Sequence, residues 1–362
     1  SNIKCFRNIF TGDGHSDGTY FRYYRLSSGR IQITMNLYPW LIPHYQQLTA
    51  AFLQGHGHHA LLFKADQGLG VEQLIRATAN FLICSQPQAN QPCGECHSCR
   101  LFRADNHPDF HLLAPIENKD IGIDQVREIN EKVNQHAQQN GNKVVYIQGA
   151  QRLTENAANA ILKTLEEPRP NTYFLLQTDL SASLMATIYS RCQIWLINPP
   201  VAELALHWLA EQQNVKTDEI QTALRINYGR PLSALNTLQQ GLLEKRRQFL
   251  RQFWLFYTNR SPLELLPHFD NELIFQQLDW LSAFVGDALK NKLNIRENWI
   301  CQDLERGVRQ FSERQTALGL LKAGQIIQAV RSDLSRINAV NQELILLDGL
   351  TRLITEVFEN EE

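Results

Sequence analysis

His59-Ala60-Leu61-Leu62-Phe63-Lys64-Ala65-Asp66-Gln67-Gly68-Leu69-Gly70-Val71-Glu72 is the most informative stretch of this chain. An apolar run of strand length, residues 60–64, leads into a glycine-bearing turn. Leu74, Ile75, Ala77 and Thr78 then set up a helix. That is the order of a strand, a phosphate loop and a helix. A working loop reads G-x-x-x-x-G-K-[ST]: its Lys reaches the β- and γ-phosphates and its hydroxyl holds Mg²⁺. In this chain Ala65 stands for the first Gly, Val71 for the Lys and Glu72 for the Ser/Thr. Lys64 precedes the loop and does not replace the missing cation. Gly-x-Gly alone is a weak signal, equally compatible with a strand–helix turn that uses glycine for backbone freedom. A second apolar strand, Lys143–Ile147, should be followed by a metal-binding Asp and a catalytic Glu, but Gln148 and Gly149 stand there. With no cation and a carboxylate facing the triphosphate, a loop built on Ala65, Gly68, Gly70, Val71 and Glu72 is expected to hold no MgATP.

A length of 362 residues implies two or three domains with an ample core. The net charge of −2 leaves no basic footprint for autonomous nucleic-acid binding. Basic residues such as Arg100, Arg103 and Lys119 are dispersed, so any DNA contact would be modest and to phosphates. No apolar run approaches the roughly 18 residues of a membrane span, and no signal-peptide pattern is present. A cytoplasmic location is expected.

Seven cysteines include one tight group, Cys84-x8-Cys93-x2-Cys96-x2-Cys99. An odd count with such a cluster reads as metal binding in a reducing compartment, not as a disulfide framework. Four thiolates around Gly94 can wrap a tetrahedral Zn²⁺ and leave no vacancy for a catalytic water, so the zinc would be structural. Free thiols or an iron–sulfur cluster are the alternatives. His97 is surplus to such a site and reads as an exposed loop histidine.

Residues 1–34 differ in pattern from the rest of the chain. Gly12-Asp13-Gly14 and Ser27-Ser28-Gly29 break any period, and the first Met is Met35. They are expected to be an added or disordered extension outside the fold. From 35 to 200 strands alternate with helices, which predicts an α/β domain with a mainly parallel sheet. The expected strands are residues 60–64, 110–114, 143–147, 173–178 and 193–196. Val126, Ile129, Val133 and Ala137 mark one helix stripe. Thr154 caps another helix, with Ala157, Ala158, Ile161, Leu162 and Leu165 inward, and Pro168 ends it. Residues 201–240 read as short helices. Residues 241–362 read as an all-helical block with Leu346, Leu347, Leu350, Leu353 and Ile354 as its last stripe. Glu166 and Glu167 point about 100° apart on a helix and read as a solvated helix end. A lone Arg before a strand, such as Arg191, is ordinarily a solvated or salt-bridged surface residue.

Several segments occur in this order in one family. Tyr38-Pro39-Trp40-Leu41, Gly57-His58-His59-Ala60-Leu61-Leu62, the cysteine group, Ala158-Asn159-Ala160-Ile161-Leu162-Lys163-Thr164-Leu165-Glu166-Glu167-Pro168 and Ser190-Arg191-Cys192 make the chain similar to bacterial DNA polymerase III clamp-loader subunits. The likeness spans residues 35–362, although the helical last third carries little motif information. It implies an AAA+ module: a P-loop-like α/β domain with an inserted four-cysteine zinc module (84–99), a small helical lid (201–240) and a helical collar for oligomerisation (241–362). It further implies a five-subunit open ring containing gamma/tau and delta subunits, which loads a sliding clamp onto primed DNA. The broken loop resembles the branch that does not hydrolyse ATP and serves as a rigid stator. In that branch the Ser-Arg-Cys arginine, Arg191, acts in trans on ATP held by a neighbouring gamma/tau subunit. Thr178 matches the family's polar sensor. Gly229-Arg230-Pro231-Leu232 matches its second sensor, with Leu232 where Arg is usual.

Two other readings compete. One is an active gamma/tau-like ATPase with an unorthodox loop; the missing Lys and carboxylates oppose it. The other is a zinc-containing nucleic-acid-binding regulator; the near-neutral cysteine loop (Glu95, His97, Arg100) opposes that. Nothing in the chain suggests polymerase chemistry of its own, although such an activity can be attached to it through a holoenzyme.

Overall fold

The computed structural model describes residues 21–25, 31–35, 37–117, 119–336 and 342–358. They fall into two compact units. One is the chain up to Lys64 together with Val71–Trp195; the other is Ala65–Gly70 with Leu196–Glu362.

The first unit is α/β. Its sheet has the order β4 (Phe110–Leu113), β5 (Lys143–Ile147), β6 (Thr172–Thr178), β3 (Ala60–Ala65), β7 (Gln193–Ile197). β4 with β5, β5 with β6 and β6 with β3 are parallel, and Leu62 lies opposite Leu176. Every residue of β5 is buried, as a strand covered on both faces requires. Lys143 fits that strand because its ammonium donates to the carbonyls of Gln135 (2.7 Å) and Val133. Helices α1 (Ile42–Leu53), α2 (Val71–Ile83), α4 (Ile123–Asn134) and α5 (Glu155–Glu166) belong to this unit. One core joins Leu62, Val145, Ile147, Phe174 and Leu176 of the strands to Val126, Ile129, Val133, Ile161 and Leu165 of α4 and α5. Thr154 caps α5 by accepting the Ala157 N–H at 3.3 Å.

All five expected strands form, with ends differing by one residue. Two expectations change. Ala137 lies beyond α4, which ends at Asn134 where Gln135 turns to extended backbone. The expected stripe therefore overshoots the helix. The extension ahead of residue 35 is also not wholly structureless: β1 (Phe21–Arg25) pairs antiparallel with β2 (Ile31–Met35), Phe21 opposite Met35. Aromatic and β-branched residues in both segments favour the strand, and the ladder runs through the expected boundary. Residues 1–20 and 26–30 lie outside the described residues.

The second unit is helical apart from the end of β7. α7 (Ala202–Gln212), α8 (Thr217–Ile226) and α9 (Pro231–Gln239) share a small core of Ala205, Leu209, Ile220, Ala223, Leu224 and Ala234. α10 (Leu242–Asn259), α11 (Ile274–Lys292), α12 (Glu305–Glu313), α13 (Ala317–Arg336) and α14 (Gln342–Leu353) enclose a larger one. Aromatic edges lock it: Phe311 meets Tyr257 at 5.0 Å and Phe253 at 5.7 Å between ring centres, geometries that add to plain area burial. Arg246 is buried in this unit and donates to Asp303 (2.8 Å) and to Cys301 Sγ (3.1 Å). Burial pushes the Cys301 thiol up to about 12. No helix among the described residues is long and apolar enough to cross a membrane.

Candidate functional site

Arg191 sits between α6 (Ala186–Tyr189) and β7, at a corner made by a one-turn helix. Its guanidinium is held on two sides. Nε and Nη2 both donate to Glu166 Oε2, at 3.1 and 2.6 Å; Nη1 donates to Thr187 O (3.0 Å) and to Ser190 Oγ (3.3 Å). Ser190 donates its own proton to Thr187 O at 3.1 Å, which turns an oxygen lone pair toward the arginine. Cys192 packs against the α/β core, and burial pushes its thiol up to about 12. It is a packing residue, not a nucleophile. The Ser-Arg-Cys triplet thus has a physical division: Ser190 orients the arginine, Arg191 carries the charge and Cys192 anchors the corner.

The phosphate-loop region divides at Gly70. In the helical unit, Gly68 and Gly70 have φ of +88° and +72°. The Gly68 carbonyl accepts the Leu232 N–H at 3.1 Å, and a Cβ on Gly68 would lie 2.0 Å from Ser233 Oγ. The loop backbone is therefore clasped by the start of α9 at Leu232. Gly68→Ala should destabilise the helical unit by about 1–3 kcal/mol from the left-handed backbone alone, with displacement of Ser233 adding to it. A thermal melt unchanged from wild type would show that the clasp contributes nothing.

In the α/β unit, Val71 is buried at the start of α2 and gives no cation. The Glu72 carboxylate accepts from Gln177 Nε2 at 2.7 Å, and Gln177 Oε1 accepts from the Tyr146 hydroxyl. The Glu72 side chain is thus tied to the sheet. The Gln148 N–H donates to Leu113 O (2.9 Å), and Gly149 adopts φ +75°, ψ +56°. A side chain at 149 would be strained in this left-handed backbone, which glycine adopts freely. Thr178 is 1% exposed, and among the described residues its Oγ1 has no hydrogen-bond partner.

The four cysteines come together as their spacing implies. Cys84 follows α2, Cys93 and Cys96 lie on the connecting loop, and Cys99 is in the first turn of α3 (His97–Arg103). Sγ–Sγ distances are 3.6 Å from Cys84 to Cys93 and 3.9 Å from Cys84 to Cys96, and all four sulfurs lie within 4.8 Å of one another. A Zn–S bond of about 2.3 Å in a tetrahedron requires sulfurs about 3.8 Å apart, so the donor set fits that ion. Backbone N–H groups of Cys93, Cys96 and Cys99 donate to the sulfurs of Cys84, Cys93 and Cys96 at 3.2, 3.3 and 3.3 Å. Such donors favour thiolates. The hydrogen bond from Cys99 holds the Cys84 thiol down to about 5 and pushes that of Cys99 up. Arg103 pins the knuckle by donating to Gly94 O at 2.8 Å. His97 is exposed and outside the sulfur cluster, although it opens α3 instead of lying in a loop.

Relatives of the chain carry one description. It is 63% identical over 325 residues to DNA polymerase III subunit delta' of Haemophilus influenzae, covering 90% of this chain and 99% of that protein. The chain belongs to the DNA polymerase III delta-prime subunit family. The delta-prime protein of Escherichia coli is 36% identical over 326 residues, covering 88% and 96%, and that of Bacillus subtilis 26% over 275 residues, covering 71% and 80%. Three family descriptions tile the chain: "DNA polymerase III, delta subunit" matches residues 43–200, "DNA polymerase III subunit delta', AAA+ ATPase lid domain" residues 200–239, and "DNA polymerase III, delta subunit, C terminal" residues 240–355.

One residue of the delta-prime chain has a role that helical periodicity conceals. By its position Glu166 reads as a solvated helix end, but it is the carboxylate that holds Arg191. The two are 25 positions apart and meet only because α5 and α6 are neighbours.

Proposed function

We propose that this delta-prime chain is a non-hydrolysing stator subunit of the clamp loader and supplies Arg191 in trans to ATP on a neighbouring gamma/tau subunit. The observation that carries the proposal is an asymmetry within one chain. The loop has Val71 and Glu72 in place of its cation and hydroxyl, and Gly149 stands in a left-handed backbone where a catalytic Glu would be needed. The corner bearing Arg191 is meanwhile ordered by four hydrogen bonds. In the neighbour's site, water attacks the γ-phosphorus, the bond to the β–γ bridging oxygen breaks, and ADP leaves. An arginine from outside stabilises the charge spread over the transferring group.

We divide the chain into an AAA+ domain at 35–200, a lid at 201–240 and a collar at 241–362, with residues 1–34 as an extension. The collar would join gamma/tau and delta subunits in a ring that places the sliding clamp on primed DNA. Leu318, Leu321 and Leu344 are more than half exposed in the helical unit, which suits subunit contacts. The cysteine cluster would hold structural Zn²⁺, and no ATP would be bound.

The test is ATP turnover by gamma/tau and delta subunits reconstituted with this chain, with and without Arg191. Micromolar Mg²⁺-dependent ATP binding by the isolated chain would support the active-ATPase reading instead. Steeply salt-dependent DNA binding by the isolated chain would support the regulator.

A further inference from the structure

Arg191 is not simply presented to solvent. A guanidinium has five N–H donors, and four hydrogen bonds within the chain engage it. The Glu166 carboxylate takes the Nε/Nη2 edge, while Thr187 and Ser190 take Nη1. An incoming γ-phosphate needs those same donors in a bidentate or forked arrangement. Glu166 and Arg191 also form an ion pair, with side-chain exposures of 59% and 25%.

We propose that Glu166 is a phosphate surrogate that parks Arg191, so that the arginine reaches a neighbour's ATP only after exchanging one anion for another. This rests on the reading of Arg191 as a trans-acting residue. A pair this open to water is weak, so the γ-phosphate, with its higher charge, displaces the carboxylate readily. The parked fraction still lowers the apparent engagement of ATP by the share of arginine that is free. Glu166 is therefore a positioning residue that acts through Arg191 and touches no substrate.

The direction of the expected effect separates this role from a structural one. In the reconstituted assembly, Glu166→Gln keeps the shape of the side chain and removes its charge. At the site served by Arg191, resolved by single-turnover hydrolysis, it should raise kcat/KM for ATP about two- to fivefold, the range set by the weakness of exposed pairs. Loss of a merely structural contact would lower kcat/KM or leave it unchanged. In an Arg191→Ala background the Glu166→Gln gain should vanish, since the two changes act through one contact. A rise that persists without Arg191 would overturn parking, and so would a fall or no change in the single variant while Arg191→Ala still slows turnover. If Arg191→Ala itself leaves turnover unchanged, the trans-acting reading fails and parking falls with it. Assembly size on gel filtration, unchanged in every variant, checks folding.

Discussion

If Arg191 acts in trans as proposed, Arg191→Ala should slow ATP hydrolysis at the neighbouring site it serves by about 10³-fold or more, the range known for arginines supplied from outside an NTPase site. Were the assembly to hold further ATP sites with arginines of their own, steady-state turnover would fall less than this. Single-turnover hydrolysis with clamp and primed DNA present resolves the affected site. Folding should be unaffected. The side chain is partly exposed, its corner is anchored independently by Cys192, and the pair it leaves is with a carboxylate that is itself 59% exposed. Glu166 can be rehydrated at little cost, unlike a carboxylate stranded in a core. Arg191→Lys is expected to recover only part of the rate, because an ammonium cannot reproduce the fork of the guanidinium. If the alanine variant assembles normally and the site turns over at the wild-type rate, Arg191 is an interface residue with no part in the chemistry.

What was legible in the sequence depended on the range of the interactions involved. β3, β5 and β6 were readable because a buried parallel strand must be apolar at nearly every position, and that pattern is local. The cap at Thr154 and the stop before Pro168 were readable for the same reason. The stripe through Ala137 overshot because α4 ends at Asn134, where the chain turns toward the loop held by Asp109, whose carboxylate accepts the N–H groups of Gln138 and Gln139 at 2.8 and 2.9 Å. That anchor lies 29 and 30 positions upstream of the groups it holds and leaves no trace in periodicity. The four cysteines were found by spacing alone, since a metal knuckle is a local object. The Glu166–Arg191 pair, the Glu72–Gln177 tie and the clasp of Gly68 by α9 each join segments far apart in sequence. No pattern within a window could have exposed them.

The cysteine cluster carries the other large effect. Residues 85–89 are exposed, and the loop up to α3 contributes little apolar surface of its own, with Pro92 and Gly94 as its buried positions. A loop of this composition gains little from burial to offset its ordering entropy, and a bound ion, as proposed, would supply the difference. Cys93→Ser should reduce bound zinc from one per chain to nearly none. It should also collapse hydrogen-exchange protection across residues 84–103, while the β5–β6–β3 sheet, which has its own core, keeps its protection. Chelation of wild-type protein should reproduce the same pattern and re-addition of zinc should reverse it. Metal analysis separates the possibilities that spacing left open: iron with acid-labile sulfide would indicate a cluster, and absence of metal would indicate free thiols. Metal-free protein with full protection at 84–103 would mean that the N–H···S bonds and the Arg103–Gly94 contact hold the knuckle without an ion. The structural role would then pass from zinc to the backbone.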